Sequence, residues 1–474
     1  MPIRLGPGEI AWKAPDADEA AMLASLQPNI VRPHVRDHLE IFFVTFASAA
    51  AGRTFLGGVR PLMKSAAAHL AEVEAFNVSQ GTVTGTSYLG VGLTSAGYVA
   101  LGVPAGLQPK DPSFVQGMRG SIAKLGDPAL AKWETALRTV SHAIVLVGDA
   151  TVDAAAATSA QVRALIAANS GVRVVGAQVG VGQHNSAGDG IEHFGYVDGR
   201  SQPLFLREDV DHERLHSTGV SGWDPAFSID RVIVADPAAP DPAHDFGSYL
   251  VYRKLEQNVQ LFKRQEAKLA ERLILEGDDA ERAGAMIIGR FEDGTPLAMQ
   301  ADASMHHPVP NNFNYDDDPD GMRCPFLGHV RKVNPRGTGG VEPVAQERLH
   351  IMARRGQTYG TRVDDPNDGK FANKPKDKVG LLFMAFNVDI AAQFEFVQQT
   401  WANNPGFPRT PNGQPAGADL VIAQTNRTAP ITVPVEWAGD KTADVRTTST
   451  FPQAVTMKGG DYFFMPSLAF LNTL

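Results

Sequence analysis

The order in which two apolar periodicities alternate limits the fold more than any single motif. Residues 38–50 (HLEIFFVTFASAA) form a continuous apolar run suited to a buried strand, and residues 59–77 follow with Leu62, Ala66, Leu70 and Val73 at helical spacing. Residues 87–93 and 142–147 read as two further strands, 151–169 as a helix and 172–181 as a returning strand. The order recurs later: 249–253 predicts a strand, 254–276 a long amphipathic helix, 380–388 a strand, 391–401 a helix and 462–465 a strand. Such alternation, with neighbouring strands antiparallel, predicts an α+β protein of two ferredoxin-like lobes. Residues 207–242 turn polar and proline-rich, ending in DPAAPDP, so a boundary is expected there. The expected division is an N-terminal extension over 1–28, one lobe over 29–225 and a second over 226–474.

Charge and cysteine usage narrow the function. The 474 residues carry 43 Lys and Arg against 52 Asp and Glu, a net charge of −9, which argues against nucleic acid or an anionic membrane as partner. Cys324 is the only cysteine, so neither an intrachain disulfide nor a multi-thiolate metal site can form. A metal would need His, carboxylate or a cofactor. Residues 1–20 lack a basic start followed by an apolar run, and no stretch of about 18 apolar residues occurs, so neither a secretory signal nor a membrane span is expected. The C-terminal residues 469–474 run on from the last expected strand, so no appended targeting tail is expected. A cytoplasmic location follows as the default.

Three segments could carry chemistry. In EHFGYVDGRSQP (192–203), Asp198 stands before Gly199, either as an ordinary Asp-Gly turn or as a carboxylate held where a ligand can approach. CPFLGHVRKVNPR (324–336) sets His329 after Gly328 and beside Arg331, Lys332 and Arg336; this suits a flat ligand with carboxylates, such as haem, or a solvated basic loop. Arg354 and Arg355 precede Gly356, and such a pair is by itself most often surface charge.

Taken together, these segments, in this order and at these separations, resemble the dye-decolourising (DyP-type) haem peroxidases. The resemblance continues through YLVYRKLEQNV, GLLFMAF, QFEFVQQTWANNPGF and GGDYFFMPSLAFL, covering most of the chain from about residue 29. It implies one haem b per chain, held mainly by the C-terminal lobe. It also implies Asp198 of the GxxDG motif as acid–base residue, His329 as axial iron ligand, Arg354 as distal arginine and Arg331 as a contact to a haem propionate. Asp419 is the candidate carboxylate behind the imidazole, with Asp389 in reserve, and Leu381 and Phe383 belong to the apolar wall. Gly328 stands where the family usually has Ala, and Gly356 where some subfamilies have a distal Asn.

These residue types suit peroxide chemistry. A carboxylate on the far imidazole nitrogen makes an axial histidine more electron-donating, one carboxylate can take a proton from peroxide and return it to the departing oxygen, and a permanent cation stabilises the charge formed. A carboxylate base, with a reference pKa near 3.9, predicts turnover in acid. The expected partners are hydrogen peroxide and bulky reductants such as dyes or phenols, reached by electron transfer through surface aromatics, with Trp401, Tyr315 and Tyr359 as candidates; a homo-oligomer is compatible. The rival readings are a haem-binding or haem-delivery protein without turnover, and a haem-free metallohydrolase using His306, His307 and the cluster Asp316 to Asp320. That cluster fits half of a calcium loop but has Leu327 at the twelfth position, where a bidentate Glu is needed. Cys324 reads as a buried structural thiol, and the glycines of 176–190 match no phosphate-binding pattern.

Overall fold

Strand β1 (His38–Phe46) lies at the centre of the first half, flanked by β3 (Ala143–Asp149) and β4 (Val172–Val181), with β2 (Tyr88–Leu93) outside β3. The computed structural model describes residues 8–34, 36–304, 307–364, 370–425, 430–439 and 446–474. All these pairings are antiparallel, and the order β2-β3-β1-β4 is that of a ferredoxin-like sheet. Helices α1 (Ala49–Val59), α2 (Ala66–Val78) and α3 (Val152–Ala167) complete this half.

The second half repeats the plan. Strand β5 (Phe246–Gln257) is followed by α4 (Val259–Leu273), the short strands β6 (Ala353–Arg354) and β7 (Gln357–Tyr359), then β8 (Gly380–Asn387) and β9 (Val455–Met465). A helical stretch of π type over Ala391–Glu395 and Val397–Ala402 lies between β8 and β9. The order β9-β5-β8-β7 is again antiparallel and ferredoxin-like. At one seam β9 pairs with β2 through Phe464 and Leu93, and at the other β7 pairs with β4 through Tyr359 and Gly180. The two sheets therefore close into one ring of strands.

Differences from the expected elements have local causes. The helix expected over 59–77 is broken at Arg60–Leu62, where Pro61 ends α1's register, and Ser65 then caps α2 by accepting from the Ala68 amide at 3.2 Å. Residues 254–257 belong to β5 rather than to the following helix, which begins only after Asn258 accepts from the Leu261 amide at 2.9 Å.

Buried polar ties join the halves behind the sheet. The Arg253 guanidinium on β5 donates to both oxygens of Asp127, at 2.5 and 2.8 Å, with both side chains out of solvent. The buried Glu395 carboxylate accepts from Ser113, Ser121, Lys124 and Tyr462 at 2.5–2.9 Å. Truncating Asp127 to alanine leaves a buried guanidinium without its counter-charge. The expected result is a loss of about 3–5 kcal/mol of stability, read as a lower urea midpoint.

Candidate active site

His329 opens a short helix, α5 (His329–Val333), and Nδ1 of its ring lies 2.8 Å from Oδ2 of the fully buried Asp419. Asp419 is held in turn, because its Oδ1 accepts from the amides of Val421 at 2.8 Å and Ile422 at 2.6 Å. Burial pushes the Asp419 carboxyl up, but the His329 ring and these hydrogen bonds outweigh burial and hold it below the usual carboxylate range. An ionised carboxylate fixes the imidazole's orientation and leaves Nε2 for the cavity that His329 lines. Asp389 caps the following helical stretch instead, accepting from the Ala392 amide at 2.8 Å.

The cavity measures about 720 Å3, in the range of cofactor sites. Leu381 and Phe383 of β8 line it, with Val330, Val333, Met352 and Ile422. Asp198 and Arg354 line it too, although they come from different halves of the chain. The loop bearing Asp198 also holds Arg354. Gln202 Oε1 accepts from the Arg354 amide at 3.0 Å, and the Ser201 carbonyl accepts from the guanidinium at 3.3 Å. Gly195 and Gly199, at φ +102° and +81°, give this loop bends that other residues rarely adopt.

Arg331 departs from expectation. It is fully buried but does not line the cavity; its guanidinium donates to Asp318 Oδ2 at 2.8 Å, the Asp318 carbonyl at 2.9 Å and the Cys324 carbonyl at 2.7 Å. Asp318 also accepts from the amides of Met322, Arg323 and Cys324, so the pair organises the loop leading to His329. Arg290, which carries no motif signal, lines the cavity in its place. It is buried and donates to the neutral oxygens of Gly294, Pro310 and Ser201 at 2.7–3.1 Å, and burial lowers its pKa to about 10. A buried guanidinium facing a cavity attracts carboxylates.

The other candidates lie elsewhere. Trp401, Tyr315 and Tyr359 are 1%, 1% and 6% exposed, so none is a surface aromatic. Burial pushes the Cys324 thiol up to about 12, which keeps it protonated. His307 is exposed, 3.6 Å from Asp189, and His306 lies outside the described residues. Among the described residues no group of three or more His, Cys, Asp or Glu is arranged to hold a metal ion.

An imidazole backed by a buried carboxylate thus faces a cavity whose lining also holds a separate carboxylate, Asp198, and a guanidinium, Arg354, and these residues fit a haem. The chain belongs to the dye-decolourising (DyP-type) peroxidases, haem enzymes that act on hydrogen peroxide. It is 54% identical over 475 residues to the multifunctional dye peroxidase DyP2 of Amycolatopsis sp. (strain ATCC 39116 / 75iv2), covering 100% of both chains. The solved structure of DyP2 from that organism matches with a TM-score of 0.95 at 53% identity, over 99% of each chain. The DyP-type peroxidase of Anabaena sp. matches with a TM-score of 0.89 at 33% identity, over 98% of this chain and 97% of that one. No family model matches the sequence.

Replacing Asp419 by asparagine removes the charge behind the ring while keeping its shape. The expected result is a roughly 10–100-fold loss of peroxidase activity, with a higher ferric/ferrous midpoint potential in a spectroelectrochemical titration.

Proposed function

We propose that the chain binds one haem b with His329 as axial ligand, reduces hydrogen peroxide to water and oxidises dyes, phenols and similar bulky reductants. The observation that carries this reading is the 2.8 Å contact between His329 Nδ1 and Asp419, which orients the ring toward a cavity shared with Asp198 and Arg354. When bound, the haem supplies two-electron reduction of peroxide and holds the oxidising equivalents for the reductant. Asp198 takes a proton from peroxide and returns it to the departing oxygen, and Arg354 stabilises the negative charge formed there. Leu381 and Phe383 would wall the cofactor, and Arg290, on the cavity lining, would hold one of its carboxylates. The relatives' names support dyes as reductants.

The division at residue 225 into two lobes is part of the same reading, with the acid–base loop on the first lobe and His329 and Arg354 on the second. So is a cytoplasmic location; among the described residues no helix is long and apolar enough to cross a membrane.

The test is to load the protein with haem and add peroxide and a dye in acid. Bleaching that requires both haem and peroxide is expected, whereas transfer of haem to an acceptor protein without bleaching would favour a haem carrier. A pH profile rising only above neutrality would remove Asp198 as base.

Acid turnover has a limit in the fold. Burial, reinforced by the nearby charges of His69, Arg36 and Arg355, lowers His34 from about 6.5 to about 3. The unfolded chain therefore takes up this proton first, and the stability that His34 contributes above pH 6.5 is lost as pH falls from 6.5 toward 3. At 1.36 kcal/mol per pKa unit the loss reaches several kcal/mol. The melting temperature should drop across this window, and less steeply in His34→Gln.

A further inference from the structure

The loop that carries Asp198 begins at Glu192, whose side chain the reaction above leaves unused. The Glu192 carboxylate accepts from the Phe194 amide at 2.8 Å, the Tyr196 amide at 3.2 Å and the side-chain amide of Gln257. Its backbone closes the same turn, donating to the Tyr196 carbonyl at 3.1 Å and accepting from Gly195 at 2.9 Å. Beyond the turn, Ile191 bridges Val197, and the Asp198 amide donates to the Gly190 carbonyl at 3.0 Å. The loop is thus pinned twice, once by the bridge and once by a side chain.

Glu192 lines the cavity that Asp198, Arg354 and His329 share. Its position is costly. Burial pushes the carboxyl up to about 7 against the opposing pull of its three hydrogen bonds, and the charge of Asp198 adds to the rise. Both of its oxygens are engaged by donors two and four residues along the chain, immediately before Val197 and Asp198.

We propose that Glu192 is a positioning residue for peroxide reduction, its carboxylate fixing the 192–196 turn so that Asp198 stands on the cavity wall in register with Arg354. This rests on the reading of Asp198 as the proton acceptor. Loss of the carboxylate leaves the cavity and the axial histidine in place but lets the acid–base group drift, and a displacement of about 1 Å at a catalytic group costs on the order of 100-fold in rate.

The experiment compares haem-loaded wild type, Glu192→Gln, Glu192→Ala, Asp198→Asn and the double variant Glu192→Gln/Asp198→Asn. Haem content, the second-order rate with peroxide, the dye KM and amide hydrogen exchange are measured for each. Glu192→Gln should keep its haem and its dye KM but react with peroxide at least about 10-fold more slowly, with Glu192→Ala slower still. On the Asp198→Asn background the same substitution should cost nothing further, because the group it positions is gone. Exchange at Phe194 and Tyr196 should be slow in the wild type and fast in the Glu192 variants. Wild-type reactivity in Glu192→Gln, or an equal loss on both backgrounds, overturns the inference while Asp198→Asn remains slow. If Asp198→Asn itself reacts at the wild-type rate, the failure lies in the reading of Asp198. Should Glu192→Ala not fold, the isosteric Glu192→Gln and the wild-type exchange rates still decide.

Discussion

Replacing His329 by alanine is expected to give protein that purifies without a Soret band after expression with ample iron, and that oxidises no dye. The substitution removes the nitrogen turned toward the cavity and strips Asp419 of the ring that its Oδ2 contacts. Asp419 would then be a fully buried carboxylate without the ring contact that helps to hold its charge, and losing such a contact costs several kcal/mol. A lower melting temperature should therefore accompany the loss of colour. Asp419→Asn separates the two effects, since it removes the charge but leaves the ligand. Full retention of haem in His329→Ala would mean that another residue holds the iron.

The second large effect concerns peroxide. Asp198→Asn should keep the absorption spectrum yet slow the reaction with stoichiometric peroxide by about 100- to 10,000-fold, the range for loss of a positioned acid–base group. Arg354→Leu should lose about 100- to 1,000-fold, as expected for removal of a charge-stabilising donor. Stopped-flow mixing at several pH values reads both. Because Arg354 is held by Ser201 and Gln202, which follow Asp198 on the same loop, the two losses should not add fully in the double variant. Unchanged rates in either single variant would return that residue to a structural role.

Most of the fold was legible because strand and helix periods differ clearly in this chain. Residues 143–149 are buried at every position, and the strand was read from the apolar run Ala143 to Val147 within 142–147. The end of β5 was harder to delimit, because Lys254 and Glu256 look like the polar face of a helix until Glu134, the partner of Lys254 more than 100 residues away, is seen. The motif residues of the site were picked out through family resemblance, whereas Arg331, two positions after His329, turns toward Asp318 and not toward the cavity. Nothing local distinguishes the two directions. Arg290 and Glu192 gain their meaning only from the cavity that both line, a surface no linear pattern encodes. Trp401, Tyr315 and Tyr359 show the same limit, since an aromatic suited to relaying electrons and one suited to packing read alike.

The seams between β9 and β2 and between β7 and β4 reach beyond architecture. A gene fragment encoding either half alone would translate into a domain with two raw strand borders, each a template for pairing with a stranger. It would also lack either Asp198 or His329, which line one cavity in the whole chain. Splitting the reading frame in the intervening proline-rich stretch should therefore yield insoluble pieces.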